Sequence, residues 1–524
     1  TLFTVGGVID DPIRNAVVSW THTFGPHLLN EFRVGFGAVH YDQEGTSTDF
    51  LGNFAEQLGI SGGNAQAPGM LQLQIAGTGP GGNPTLGSIS AVQIFHTTEG
   101  QIEDNLVLTR NRHTIKAGFQ YWRERQDYNY GGNNGTLGYL SIGGVTGAGL
   151  SDFWLGLVGG GFRDGTTNTV FGLRGNVFGA YVQDDWRVTP TLTVNMGVRF
   201  ENHTPYYEIH DRMVNFDLRT GAIQLPGQDG NPRALRQNYM GIGNWLPRFG
   251  LSWSPSSFDG RAVIRAGYGI SEYLEGGGAN EELTQNPPFY GAAEQAGAGD
   301  ITQGFGPSIP PCPAIDFACY AGKRIRVFDQ HFRPSLTQQW NLTFQYQFNN
   351  STTMQVGYVG QHGTHLLNFF DATQLVGLNA AGTLARPGEQ IVSRVAGPFL
   401  GGAGDPASVL YSADNSALGG ANAIAGVNMS NSSQRYDALQ AVLQKRLSNG
   451  LQGQVAYTWS KCMSNSPGYF GTGWGSANAL SSGGQPGWQN SYDGKADWGP
   501  CYWDQTHVLS SYVTYQLPFG RGKQ

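Results

Sequence analysis

Charge is what this 524-residue sequence has least of. Lys+Arg 31 and Asp+Glu 38 leave a net charge of −7 and a charged fraction of 13 %, about half the roughly 25 % of an ordinary soluble domain. There is no basic block and no basic stretch interleaved with aromatics, so nothing in the sequence points to nucleic acid. Long apolar runs are also missing. The longest, Leu150 to Phe162, is interrupted by Asp152 and by glycines and falls short of the roughly 20 residues that a membrane-crossing helix needs. Any membrane role therefore falls to strands. Glycine shows no period of three and proline stands at an ordinary 25, which excludes collagen and proline-rich spacers. Aromatics at 12 % exclude a chain too polar to order itself.

What the sequence does have is glycine, 79 in all, and a recurrent period of two with no convincing helical period. From Thr191 to Glu201, Leu192, Val194, Met196, Val198 and Phe200 alternate with Thr193, Asn195, Gly197 and Arg199. Just before it, Ala180, Val182, Trp186 and Val188 oppose Gln183, Asp185 and Arg187, with Asp184 the one polar residue on the apolar face. The same alternation marks Glu31 to Tyr41, Ile115 to Arg123 and Gln339 to Phe348, and shorter stretches around Leu251, Ala266, Tyr457 and Val513. The polar faces hold charges, amides and glycine along their whole length, as a wet lumen tolerates and a sandwich core does not. The apolar faces then meet lipid, and Tyr121, Trp122, Trp186, Phe200, Phe348 and Trp459 at strand ends suit interfacial girdles.

Connection lengths support the same reading. Short links at Gly25 to Leu29, Asn111-Arg112, Thr189-Pro190, Pro255 to Gly260, Asn349 to Ser351 and Leu447 to Gly450 alternate with long ones. The long links run approximately over 42–100, 127–170, 204–246, 274–334, 362–434 and 462–506. Short inner turns and long outer loops are the rule for outer-membrane barrels. The predicted fold is all-β: a transmembrane antiparallel barrel with about 13 strands in view. That odd number, with loops this long, predicts a part of a larger barrel of roughly 22 strands, since closed bacterial barrels have even counts.

All four cysteines fall in predicted outer loops: Cys312 and Cys319 in one, Cys462 and Cys501 at the feet of another. Four cysteines allow three pairings, and the two local ones, Cys312 with Cys319 and Cys462 with Cys501, are preferred for an oxidising compartment. A metal site is disfavoured because there is no CxxC pair and no histidine at ligand spacing. Aromatics crowd the same loops: Tyr128, Tyr130, Tyr206, Tyr207, Phe289, Tyr290, Trp488, Tyr492, Trp498, Tyr502 and Trp503. Packing of loop on loop is their plainer role. Stacking on a ligand is the sharper one, and Tyr206, Tyr207, Phe289, Tyr290, Trp488, Trp498 and Trp503 are the candidate contacts.

No catalytic constellation stands out. His362 and His365 form an HxxH without the glutamate of a zinc protease, placed where strand passes into loop. Gly520 to Lys523 lacks the spacing of a phosphate loop, there is no Gly-x-Ser-x-Gly, and Glu281-Glu282 reads as a solvated acidic patch. Neither an enzyme nor a cofactor is expected.

Specific strings go further than periodicity. Tyr181-Val182-Gln183-Asp184-Asp185-Trp186-Arg187-Val188-Thr189-Pro190, continuing to Glu201, resembles the mid-barrel hairpin of TonB-dependent receptors. His113 to Gly118, Pro247 to Gly250, Arg265 to Gly269, Tyr358-Val359-Gly360, Tyr457 to Lys461 and Leu517 to Gly520 resemble its Oar-like branch. The resemblance implies an outer-membrane receptor whose 22-stranded barrel is occluded by a plug and opened by TonB, energised by ExbB and ExbD. Residues 1–524 would then be a single stretch of wall and loops, without plug, TonB box or the small sandwich domain that often precedes them. The expected partners are outer-membrane lipid, TonB with ExbB and ExbD, and an unknown ligand for which oligosaccharide, peptide and siderophore all remain open. An adhesive or signalling barrel and a passive porin are the alternatives.

Overall fold

The computed structural model describes residues 7–45, 52–77, 85–87, 93–131, 135–166, 170–217, 222–273, 282–305, 325–371, 376–378, 380–381, 390, 393–395, 425–466, 488 and 494–519. Thirteen long strands make the wall: β1 Ile13–Gly25, β2 Leu28–Gly45, β3 Gln93–Arg110, β4 His113–Tyr130, β5 Val170–Thr189, β6 Leu192–His203 and β7 Trp245–Trp253. The others are β8 Ala262–Tyr273, β9 Ser335–Asn349, β10 Thr352–Asp371, β11 Ala425–Ser448, β12 Leu451–Ser464 and β13 His507–Tyr515. Each pairs antiparallel with the next in sequence, so the wall is one continuous meander. Among the described residues β1 and β13 do not pair with each other, and both are exposed edges.

Register sorts the side chains into two faces because the strand period is two. One row runs Val194, Leu251, Ala266, Leu342, Tyr358, Leu439, Trp459 across seven strands. Adjacent to it on the opposite face runs Asp185, Asn195, Gly250, Gly267, Asn341. The apolar row is the exposed one, with Leu342 at 54 % and Trp459 at 55 %. A soluble monomer rarely exposes more than a few hundred Å² of contiguous apolar surface; here it belts the whole sheet, and that surface is the lipid face.

The turns follow from local chemistry. Asn449 and Gly450 both take positive φ, 52° and 77°, the backbone a two-residue hairpin needs to match strand twist and one that Asn-Gly adopts cheaply. Pro190-Thr191 joins β5 to β6, one residue later than predicted. The larger difference is at the long loops. β10 runs on to Asp371 and β11 begins at Ala425, so the connection is 372–424 rather than 362–434. Above the lipid the backbone still needs ladder partners, whereas nothing there demands apolar alternation. The His362 and His365 pair accordingly lies inside β10, where His365 has φ 56° at a register shift between Gly363 and Leu366.

The outer connections are themselves folded. Short strands from three of them, Gln72–Ile75 with Thr85–Leu86, Tyr139–Ile142 with Gly160–Thr166, and Tyr290–Ala296, form a separate five-stranded sheet. Leu71, Leu73, Leu137, Leu140, Ile142, Val158 and Phe305 bury against one another around it. Two short helices, α1 Phe54–Gln57 and α2 Gly149–Leu155, lie in these connections although no helical period was apparent. At one and two turns they are too short to show one. No helix among the described residues is long and apolar enough to cross a membrane.

Candidate functional site

The inner face of the wall is a polar surface whose groups satisfy one another. Lys116 Nζ lies 2.9 Å from Asp185 Oδ2. Gln183 Nε2 and Asn195 Nδ2 donate to Asp185 Oδ1 at 3.0 and 2.6 Å. Strand alternation aims all four residues inward from three adjacent strands. Glycine makes room between them: a Cβ on Gly118 would meet the Tyr181 ring at 2.6 Å, and Tyr181 lies across that gap to donate to Asn105 Oδ1 at 2.8 Å. Nearer the outer end, Glu201 accepts from Arg199 Nε at 2.6 Å and is 2.8 Å from His203 Nε2. Further round, Arg248, Gln339, Asn341, Gln361 and Tyr436 line a groove of about 570 Å³.

Above this lining the outer connections pack onto the inner face of the wall. Tyr128 and Tyr130 from β4, Phe171 and Leu173 from β5, and Leu367 from β10 point into a core with Tyr206, Met213, Leu235, Leu283, Phe328 and Phe332 of the outer loops. Buried asparagines lock these loops together. Asn215 donates to the Phe328 carbonyl at 2.8 Å and accepts from the Phe328 N–H at 3.0 Å. Asn286 treats Arg326 the same way, at 2.7 and 2.8 Å. Each side chain mimics a strand neighbour for the segment Ile325–Phe328, which also pairs in parallel with the start of β11.

Carboxylates in the loops are settled by their surroundings. Glu208 is fully buried, which alone would raise its pKa. It accepts from the N–H groups of Arg212, Gly172 and His210 and from the Arg212 guanidinium, and these bonds hold it below the usual carboxylate range. Glu282 lies in the mouth rather than in a solvated acidic patch. Burial raises its pKa to about 7 against the opposing pull of Arg326 and of Asn428, whose Nδ2 donates to it at 2.7 Å.

The candidate ligand contacts separate on inspection. Tyr206 and Tyr207, adjacent in sequence, lie on opposite faces of the wall. Tyr206 is buried in the mouth core and donates to Glu124 Oε2 at 2.5 Å. Tyr207 stands at the outer rim, where its hydroxyl accepts from Arg123 at 3.0 Å and its ring carries Arg233 at 4.4 Å. Trp488 is buried and donates to the Asn465 carbonyl at 2.6 Å. Phe289 is half-buried, and Tyr290 begins a strand of the outer sheet. Trp498 and Trp503 are exposed, and Tyr502 packs edge-on against Trp503 at 4.5 Å between ring centres. Cys462 and Cys501 are joined in a disulfide at the foot of that loop. Asp504 braces it by accepting from Lys461 and from the Cys462 N–H, each at 2.8 Å, and these bonds hold its pKa below the usual range. Cys312, Cys319 and Tyr492 lie outside the described residues. The interlocked mouth core was missed by sequence reasoning, because its members come from five separate stretches of chain.

A lipid-facing apolar belt, a polar inner face and outer loops folded into the mouth together describe a membrane barrel wall. The family described as outer membrane beta barrel domain matches residues 1–524. The chain belongs to that family. It is accordingly a protein of the bacterial outer membrane. No curated protein matches it. Among solved structures, it is similar to the outer membrane transporter YddB from Escherichia coli at 9 % identity and a TM-score of 0.49, over 96 % of this chain and 48 % of that one. It is also similar to the ferripyoverdine receptor of the outer membrane of Pseudomonas aeruginosa, at 10 % identity and 0.43, over 97 % and 44 %. The ferric-catecholate import receptor Fiu from E. coli aligns at 11 % and 0.42, over 97 % and 52 %. This outer-membrane barrel chain thus spans about half the length of these structures.

Proposed function

We propose that the protein is the wall of a TonB-driven importer that takes a bulky, weakly charged ligand, an oligosaccharide or a peptide, across the outer membrane. The observation that supports this reading is a polar inner face over whose outer end side chains of β4, β5, β10 and the outer connections pack into a buried core. A passive porin works through a standing aqueous opening; a core packed over the passage suits an energised or ligand-triggered opening. The resemblance of Tyr181 to Glu201 to the receptor hairpin supports TonB, with ExbB and ExbD, as the source of that energy. The exposed Tyr502 and Trp503, rigid and amphipathic, are the proposed first contacts for the ligand, with Trp498 of the same loop and Phe289 as further candidates. The low charge of the chain favours such a ligand over a highly charged one. The full-length protein in planar bilayers tests the reading: it should show no standing conductance, and a steady open-channel current would favour the porin.

A further inference from the structure

The outer side of the wall carries a cluster that transport does not use. On β2 the outward residues Leu28, Phe32, Val34, Phe36 and Ala38, interrupted by Asn30, which donates to Asp104 of β3, cover about 11 residues, the length a tilted strand needs to cross the hydrocarbon. Two and four residues further on, His40 and Asp42 therefore stand just above the lipid on the outer rim. Register places His96 of β3 directly opposite His40. The two rings stack at 4.0 Å, and His96 Nε2 lies 2.7 Å from Asp42 Oδ1. One ligand atom from each of the three residues falls within 4.8 Å of the others.

A second observation points to a cation here. The short strand Gly7–Asp10 pairs with the upper end of β2 and sets Asp10 directly across from Asp42. Like charges directly opposite on neighbouring strands destabilise a sheet, and a bound cation relieves that repulsion. Arg14 and Arg125, the nearest basic groups on this face, pair with Ala38 and Thr98 and so sit one row lower on the wall. Asp127, across from His96 on β4, is already bound to Arg174 at 2.7 Å.

We propose that His40, Asp42 and His96 bind a divalent transition metal of the zinc class at the extracellular rim. Two imidazoles and a carboxylate are a borderline donor set of the kind zinc takes, with the fourth position open to water or an external donor. Zinc–nitrogen bonds of about 2.0–2.1 Å in a tetrahedron put ligand atoms roughly 3.3 Å apart, so the two rings must tilt out of their stack for both nitrogens to face one ion, a rotation that their partly exposed setting permits. The metal clips β2 to β3 where the hairpin leaves the membrane.

The test is zinc titration of the full-length, untagged protein in detergent by calorimetry, with cobalt as an optical probe of tetrahedral nitrogen and oxygen ligation. One zinc per chain should bind saturably, His96→Ala should weaken it at least about tenfold, and the His40→Ala/His96→Ala double variant should abolish it. Boiled and unboiled gel mobility shows that each variant keeps its barrel. No saturable binding by the unaltered protein, or unchanged affinity in the folded double variant, overturns the proposal.

Discussion

Replacing Val182 by arginine tests the assignment of faces, because Gln183 next to it supplies the control. Val182 is 48 % exposed on the outward face of β5, between Ala117 and Val198 on the neighbouring strands. It lies midway between Trp186, stacked on His113 towards the inner turn, and Phe178, packed on Tyr121 towards the outer end. Those eight residues span about 26 Å of strand at roughly 3.3 Å each, or roughly 20 Å of height at a tilt of roughly 40°. Val182 is thus near the middle of the bilayer, where an arginine on the lipid face costs about 2–4 kcal/mol. At about 1.4 kcal/mol per factor of ten, the folding equilibrium should fall roughly 30- to 700-fold. Gln183→Arg points into the lumen beside Asp185 and should cost under about 1 kcal/mol. Urea titration of the full-length protein into phospholipid vesicles reads both. Equal losses, or a larger loss for Gln183→Arg, would refute the assignment.

Three other outcomes follow from the loops. Reducing the Cys462–Cys501 bond, which spans 39 residues, should lower stability by about 4 kcal/mol in the loop-entropy limit; an unchanged thermal midpoint under reductant would count against its bracing role. Phe328→Ala removes a ring 1 % exposed from the mouth core and should cost about 3–5 kcal/mol of local packing; protease treatment of intact cells should then cut the outer loops faster while the barrel stays heat-modifiable. For Glu282, a pKa raised from 4.5 to about 7 means the folded mouth holds a proton that the unfolded chain has released. Its stabilising contribution is therefore full below about pH 4.5 and lost as pH rises to about 7, by about 3 kcal/mol. Glu282→Gln should flatten the thermal midpoint over that window, and a slope unaffected by the substitution would place the titration elsewhere.

The wall was legible in the sequence because each of its strands announces itself locally. Ala180 to Glu201 shows two alternating runs and a two-residue link, and the structure pairs the runs antiparallel about a turn one residue further on, at Pro190-Thr191. Lipid enforces this clarity, since an outward polar residue is expensive and Asp184 is tolerated with His113 at 2.6 Å near the inner end. Nothing enforces it above the membrane. The strand Gln72–Ile75 has four residues, and its partner Tyr139–Ile142 lies far along the chain. Tyr206 and Tyr207 were equal candidates for ligand contact, yet the fate of Tyr206 depends on Glu124 of β4, 82 residues away. Asn215 and Asn286 carried no signal at all, because an asparagine that mimics a strand is known only by the backbone it meets.

The central claim is energised import, and uptake by living cells tests it most directly. Cells expressing the full-length protein are given a tritiated dextran hydrolysate and, separately, a tritiated tryptic digest of casein, in otherwise identical hosts with and without TonB. The account predicts protein-dependent accumulation of one of the two pools that disappears in the host lacking TonB. Accumulation that persists without TonB, or none in either host for either pool, would contradict it.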